Sequence, residues 1–138
     1  MIIKISEDKK EIIKPEDIYR ILRDCLKSED KVDRDKEHFW VFHLDCRNKI
    51  KLIELVSLGT LNASIVHPRE VYTRAVGERS AQIIVAHNHP SGEAKPSEDD
   101  ISLTKRLVKA GEILGIELLD HIVVSSNSFT SFKKKSLI

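Results

Sequence analysis

The sequence predicts an α/β domain in which a mixed β-sheet is flanked by helices. Two observations lead to this fold class. Apolar runs of strand length occur at 39–44, 50–58 and 83–86, and segments with apolar residues at helical spacing lie between and around them. A chain of 138 residues is expected to form one domain, residues 1–138, that buries about two-thirds of the surface exposed by its unfolded chain.

An N-terminal extension, about residues 1–37, is predicted to hold a short strand and a helix. The apolar residues within 2–6 suit an edge strand, and Pro15 can occupy the first turn of a helix. That helix has apolar side chains at helical spacing, namely Ile18, Ile21, Leu22, Cys25 and Leu26. The charged residues 28–36 are predicted to form a connector to the next strand.

A β-hairpin is predicted next, because the runs 39–44 and 50–58 flank the turn-forming segment 45–48. The second run is apolar on both alternating faces, which is typical of an interior strand. Glu54 lies in this run, and a buried carboxylate is costly unless it is paired, hydrogen-bonded or close to a cation. We therefore regard Glu54 as a candidate functional residue. The alternative is an edge strand on which Glu54 faces solvent.

The rest of the chain is predicted to alternate helices and strands. The predicted bounds are a helix at 68–78, a strand at 81–87, a helix at 97–114 and strands at 116–124 and 128–132. Pro68 favours the first turn of its helix, and Gly115 suits the position after the last turn of the long helix. These elements complete a mixed sheet with helices on its faces.

Residues 87–100 join a predicted strand end to a predicted helix start and contain a compact set of metal ligands. His87 and His89 point to the same side of an extended chain, because they are two residues apart, roughly 6.5 to 7 Å along the backbone. Asp100 adds an oxygen from the helix. Two imidazoles and one carboxylate are typical of catalytic zinc, in which water occupies the fourth position. We predict one zinc ion per chain, bound by these three residues.

Each of these residues also has a purely structural interpretation. Ser97 can be the N-cap of the helix, with an acid three residues later as in a capping box, or its hydroxyl can donate to an oxyanion. Asp100 can simply favour the positive end of the helix dipole, and a His-x-His pair can arise by chance. The spacing of His67 and His121 shows no link to the motif, so neither is included in the predicted metal set.

The segments around this motif resemble the RadC family, which belongs to the JAB/MPN metalloprotease superfamily. The resemblance rests on Glu54, Gly59 to Leu61, Val66 to Val71, Ala86 to Gly92, Pro96, Ser97, Asp100, Leu119 to Val124 and Ser131 to Lys133. It covers about residues 38–138 and implies a JAB/MPN-like mixed sheet with helices, layered as in cytidine deaminases. The superfamily's zinc signature, an upstream Glu, His-x-His-Pro and Ser-x-x-Asp, falls on Glu54, His87, His89, Pro90, Ser97 and Asp100.

The resemblance implies a zinc-dependent hydrolase that cleaves peptide or isopeptide bonds in a peptide or protein substrate. In that mechanism zinc lowers the pKa of its water from about 15.7 toward 7, Glu54 is the general base and Ser97 steadies the oxyanion. One alternative is a non-catalytic DNA-repair or mobile-element accessory protein of the RadC type. A zinc deaminase is disfavoured, because such enzymes use His-x-Glu and Pro-Cys-x-x-Cys, and the sequence contains neither.

Composition restricts the partners and the location. Lys and Arg number 23 and Asp and Glu 22, so nucleic acid is a possible partner that the charge does not indicate. No apolar segment approaches a membrane span, the N-terminal apolar run is too short for a signal peptide, and Cys25 and Cys46 form no Cys-x-x-Cys. We therefore expect a cytoplasmic protein without a membrane partner. Only 38 residues precede Phe39, too few for the helix-hairpin-helix module of longer RadC-like proteins, so DNA binding is not expected to be inherited.

Overall fold

The computed structural model describes residues 2–3, 11–12, 14–59 and 66–138. Its elements in chain order are β1 (Ile2–Ile3), α1 (Pro15–Lys27), α2 (Lys31–Arg34), β2 (Glu37–Leu44), β3 (Ile50–Gly59), α3 (Pro68–Gly77), β4 (Gln82–Asn88), α4 (Glu98–Leu114), β5 (Glu117–Val124) and β6 (Phe129–Ser131). The predicted α/β class is confirmed. Residues 4–6 of the predicted first strand, and Thr60 and Leu61, lie outside the described residues. None of the helices within these ranges has the length and apolarity needed to cross a membrane.

The described strands form one six-stranded sheet in the order β1-β3-β2-β4-β5-β6. Neighbouring strands are antiparallel except for β4 and β5, which run parallel, so the sheet is mixed as predicted. The predicted hairpin of β2 and β3 is confirmed, with Val41 opposite Glu54. Because β4 and β5 pair in parallel, their carboxyl ends lie side by side at one end of the sheet, and α4 connects the two strands.

The central strands separate two apolar layers. Trp40 and Phe42 of β2 pack with Ile18 and Leu22 of α1 in one hydrophobic cluster. Residues on the opposite face pack against α3 and α4 in a second cluster, which includes Val41, Val85, Val71, Ala75, Leu103 and Leu107. β2 and β4 are buried on both faces, which explains why their sequences are nearly continuous apolar runs. The sheet therefore has α1 on one face and α3 and α4 on the other.

The short helix α2 lies within the segment 28–36, which the sequence analysis predicted as a connector. Its N-cap, Asp30, accepts a hydrogen bond from the backbone N–H of Asp33 at 2.9 Å. α2 has no buried residue, so it has no apolar periodicity from which a helix could be predicted.

The long helix α4 packs closely on α3 and ends where predicted. Gly115 adopts φ 72° after the last turn, which is the left-handed conformation of a C-cap glycine. A Cβ atom at Gly111 would clash with the Ile116 carbonyl and the Tyr72 hydroxyl. Tyr72 donates a hydrogen bond to the Leu107 carbonyl at 2.8 Å. These contacts fix the orientation of α4, whose first turn contributes to the candidate site.

Candidate metal centre

Two elements bring the candidate ligands together at the carboxyl end of β4. His87 lies on β4, and the backbone N–H of His89 donates to the Val124 carbonyl of the parallel neighbour at 2.8 Å. The chain then turns at Gly92, which has φ 97°. α4 begins shortly afterwards and carries Asp100 in its first turn. The structure therefore brings the two imidazoles and this carboxylate to one place.

Three side-chain atoms converge in the centre. Asp100 Oδ2 lies 3.2 Å from His87 Nε2 and 3.3 Å from His89 Nε2. The two Nε2 atoms are 2.9 Å apart. Neighbouring ligands of a tetrahedral zinc ion, with bonds of about 2.0–2.1 Å, are separated by about 3.3 Å. The three atoms thus have nearly the spacing of ligands on one ion.

The ring of His89 is held by its other nitrogen. His89 Nδ1 lies 2.8 Å from the Glu93 carbonyl oxygen. A carbonyl oxygen can only accept a hydrogen bond, so Nδ1 must carry a proton. In the neutral ring the lone pair is then on Nε2, the atom that faces Asp100.

The ring of His87 is held by a chain of hydrogen bonds through buried residues. The Thr104 hydroxyl donates to the Asp100 carbonyl at 2.7 Å, so it accepts from His121 Nδ1, also at 2.7 Å. His121 Nε2 is then free to accept from His87 Nδ1 at 2.7 Å. This leaves the lone pair of His87 on Nε2, directed at the centre. Burial lowers the pKa of His121 well below its usual value, which favours the neutral ring that the chain requires.

His121 therefore supports the candidate ligands without belonging to them. His121 was not predicted to belong to the site, because 34 positions of sequence separate it from His87. β4 and β5 pair in parallel with Val85 opposite His121, so His121 lies next to His87 in space although it is remote in sequence. A donor-acceptor chain behind a metal-ligating histidine fixes its tautomer and ring orientation.

The electrostatics of the centre favour a cation. With both Nδ1 protons committed, two lone pairs converge beside a carboxylate, and a proton or a metal ion must lie among them. Burial alone would raise the pKa of Asp100, but hydrogen bonds with His87 and His89 hold it well below its usual range. The same hydrogen bond to Asp100 raises the pKa of His89. Two imidazoles and one carboxylate form a donor set that fits zinc.

A second carboxylate beside the imidazoles belongs to Glu37. The ligand atoms of Glu37, His87 and His89 all lie within 4.8 Å of one another. β2 pairs with β4 so that Phe39 is opposite His87. The first residue of β2, Glu37, therefore lies at the carboxyl end of β4, beside the imidazoles. Burial raises the pKa of Glu37, and the nearby His87 and His89 oppose this shift. A partly buried carboxylate in this position is suited to accept a proton.

Glu54 does not reach this centre, so the position predicted for it beside the metal is wrong. Its Oε1 atom lies 3.1 Å from Nε2 of His43 on the neighbouring strand. Val41 is opposite Glu54 on one side and opposite Val85 on the other. Glu54 thus lies two strands away from β4, in register with Val85 rather than with His87. By standard strand spacing its backbone is roughly 12 Å from that of His87.

Glu54 and Glu37 differ in what their surrounding sequence indicates. The partly buried carboxylate of Glu54 needs a partner, and His43 supplies it from a fully buried position. Burial lowers the pKa of His43 to about 4, so this ring is a neutral donor. Glu37 stands between a charged segment and an apolar strand, where a glutamate needs no special explanation. Only the pairing of β2 with β4 indicates its role.

Ser97 is the N-cap of α4. Its Oγ accepts a hydrogen bond from the Asp100 N–H at 3.1 Å, and its own N–H donates to Asp100 Oδ2 at 2.9 Å. These reciprocal bonds form the capping box that the sequence analysis considered. They also orient the Asp100 carboxylate toward the imidazoles. The second possible role of Ser97, as a donor to an oxyanion, stays a prediction.

We expect His121→Leu to weaken zinc binding by about 10- to 100-fold. The substitution removes the acceptor of the His87 Nδ1 proton, so the ring loses its fixed orientation. His121→Gln should retain more of the affinity, because its amide oxygen can accept the same hydrogen bond. Competition against a chromophoric chelator measures the affinities, and thermal unfolding checks that both variants fold. Wild-type affinity in His121→Leu would show that other contacts, such as stacking on Phe39, orient His87.

The sequence of this chain is similar to a known family model and to several known proteins. A family model described as RadC-like JAB domain matches residues 12–137. A UPF0758 protein of Desulforamulus reducens is 48% identical over 124 residues, which are 90% of this chain and 52% of the relative. UPF0758 proteins of Methanosarcina mazei and Desulforudis audaxviator are 42% identical over 134 residues and 52% identical over 103 residues. These matches cover 97% and 75% of this chain, and 56% and 45% of the two relatives.

The matched region bears on two expectations. The resemblance inferred from the sequence is confirmed, and it begins earlier than predicted, since residue 12 precedes α1. α1 therefore lies within the region that the family model matches. The chain spans about half the length of the curated relatives it matches.

Proposed function

This chain belongs to the RadC-like JAB domain family, and on that premise we propose that it is a zinc-dependent hydrolase of peptide or isopeptide bonds. The observation that supports the proposal most is the convergence of two Nε2 atoms and one carboxylate oxygen beside Glu37. A three-ligand set leaves a coordination position open, which is the pattern of catalytic rather than structural zinc. The JAB superfamily, as the resemblance implies, consists of metallohydrolase-like proteins.

His87, His89 and Asp100 would hold the ion. Zinc in such a set supplies Lewis acidity, which brings the pKa of water from about 15.7 toward 7 and polarises a carbonyl group. Both imidazoles are already in the orientation and tautomer that an ion needs, because each Nδ1 proton is donated to an acceptor on the far side of its ring. Only the Nε2 lone pairs are therefore available to the ion.

Glu37 replaces Glu54 as the general base. Its carboxylate takes one proton from the attacking water, whose oxygen forms a bond to the carbonyl carbon of the substrate. When the carbon–nitrogen bond breaks, Glu37 returns that proton to the leaving amine, so the carboxylate is regenerated. Burial, which raises the pKa of Glu37, makes it a better proton acceptor than an exposed glutamate. General acid–base catalysis of this kind contributes roughly 10²- to 10⁴-fold.

The proposal is tested by assaying the full chain with defined metal content. Protein loaded with one equivalent of zinc is incubated with libraries of peptides and of isopeptide-linked peptides, and cleavage is followed by mass spectrometry. We expect cleavage that disappears after chelation and returns when zinc is restored. Chelated protein re-loaded with magnesium is the control, because magnesium prefers oxygen ligands. Zinc-replete protein that cleaves neither library would instead favour a non-catalytic accessory role.

A further inference from the structure

A cavity of about 220 Å³ borders the metal centre on the α1 side of the sheet. His89 belongs to its lining as well as to the centre. Val124 and Ser125 line it at the end of the adjacent parallel strand. Ligands of α/β sheets bind outside the carboxyl ends of the strands, which is where this cavity lies. An engineered cavity of about 150 Å³ holds benzene, so there is room for one amino-acid side chain.

One part of the cavity lining is apolar and fixed. Tyr19 of α1 stacks on Phe129 of β6, with ring centroids 5.1 Å apart. Leu26 extends the apolar surface along the same helix. Because the Tyr19 ring is held by Phe129, it offers a rigid surface against which a side chain can pack.

The other part of the lining is basic. The charged lining residues are three cations, Arg23, Lys27 and Arg34, and one acid, Asp35. The cavity therefore has a local excess of two positive charges, whereas the net charge of the whole chain is +1. Within the described ranges no ion pair involves Arg23 or Lys27. The guanidinium of Arg23 lies 5.6 Å from the Tyr19 ring centroid.

Arg34 lines the same cavity and has a fixed position. Its guanidinium donates to the Leu26 carbonyl at 3.2 Å and to the Glu29 carbonyl at 2.9 Å. The guanidinium of Arg34 is thus held in place, and among the described residues it forms no ion pair with a carboxylate. A guanidinium held in this way loses little side-chain entropy when it meets an anion.

We propose that this cavity binds a carboxylate-bearing residue of the substrate, next to the scissile bond, so that the protein selects anionic peptides. The inference rests on the proposed hydrolase function, because the shared residue His89 is what connects the cavity to the reacting atoms. The carboxylate comes from an acidic side chain or from the C-terminus of the peptide. A nucleic acid fits less well, because the cavity has room for one residue-sized group rather than for a chain of nucleotides.

Binding to the zinc-loaded full chain tests the inference without requiring turnover. The probes are the peptide Ala-Ala-Leu-Glu-Ala-Ala-amide, its Glu-to-Gln counterpart, and that counterpart with a free C-terminal carboxylate, each acylated at its N-terminus with the same fluorophore. Anisotropy titration should give a Kd about tenfold lower for at least one carboxylate peptide than for the uncharged amide. The peptide that binds more tightly identifies the source of the carboxylate.

Paired variants locate the effect. Arg23→Gln with Lys27→Gln should reduce the preference to less than about twofold and leave zinc content unchanged, because neither residue contacts the centre. Lys105→Gln with Lys109→Gln removes two exposed cations of α4 and should leave the preference intact. Equal Kd values for all three peptides, or a preference that survives the Arg23 and Lys27 substitutions, overturns the inference.

Two further outcomes separate the inference from the function on which it rests. A preference that depends on Arg23 and Lys27 in a protein that cleaves no library supports the cavity assignment and counts against the hydrolase. Cleavage of neutral peptides at the same kcat/KM as their acidic counterparts supports the hydrolase and overturns the cavity assignment. A ten-residue oligothymidylate that binds more tightly than every peptide, and loses its affinity in the Arg23 and Lys27 variant, overturns the peptide assignment in favour of nucleic acid.

Discussion

Glu37→Gln is expected to lower turnover by roughly 10²-fold or more while zinc binding is retained. The amide preserves the size of the side chain, but it cannot take a proton from water at neutral pH. Glu37 lies within 4.8 Å of the ligand atoms of His87 and His89, so a change in charge here acts directly on the reacting atoms. Initial rates on a substrate of the wild-type protein and elemental analysis of the purified variant measure the two quantities.

Glu54→Gln is the matched control for this substitution. Glu54 carries the same functional group on the same sheet, but its contact is His43 rather than the candidate ligands. We expect near wild-type turnover and a change of less than about 1 kcal/mol in the free energy of unfolding, because the amide oxygen of Gln can still accept the hydrogen bond from His43. If Glu54→Gln were inactive and Glu37→Gln fully active, the assignment of the general base would be overturned.

Most of the fold could be predicted because burial leaves periodic traces in the sequence. β2 and β4 are nearly continuous apolar runs because helices cover both faces of the sheet. α4 ends at a glycine with φ 72°, a conformation that favours this residue type. The helix α2 left no such trace, because none of its residues is buried. Local sequence therefore predicts an element only where that element contributes to the core.

The candidate site could be predicted only where its residues are close along the chain. His87, His89 and Asp100 lie on a strand end and the helix that follows, so local geometry alone brings them together. Glu37 and His121 reach the same point through the pairing of β2 and β5 with β4. Strand order cannot be read from one sequence. Glu54 was predicted because its carboxylate lies in an apolar strand and matches the upstream Glu of the signature, and neither observation shows how far that strand lies from β4.

Hydrogen bonds connect His87 on β4 with Asp100 on α4. The chain from His87 through His121 and Thr104 ends at the backbone carbonyl of Asp100, whose carboxylate faces His87 again. Strand β4, strand β5 and the first turns of α4 therefore form a closed loop of contacts. A loop of this kind resists displacement of any single ligand, since both rings are held by their far nitrogens and Asp100 is held by its backbone carbonyl and by the Ser97 N–H.

His89→Ala and Asp100→Ala are each expected to abolish stoichiometric zinc binding, with a loss of affinity greater than the roughly 100-fold that removal of a supporting hydrogen bond produces. Each substitution removes one of three converging atoms. Asp100 is also part of a capping box, so Ser97→Ala serves as the control. It should cost about 1 kcal/mol in the free energy of unfolding and keep one zinc per chain. Elemental analysis after dialysis decides the matter, because zinc retained by both the His89 and Asp100 variants would exclude this set of ligands.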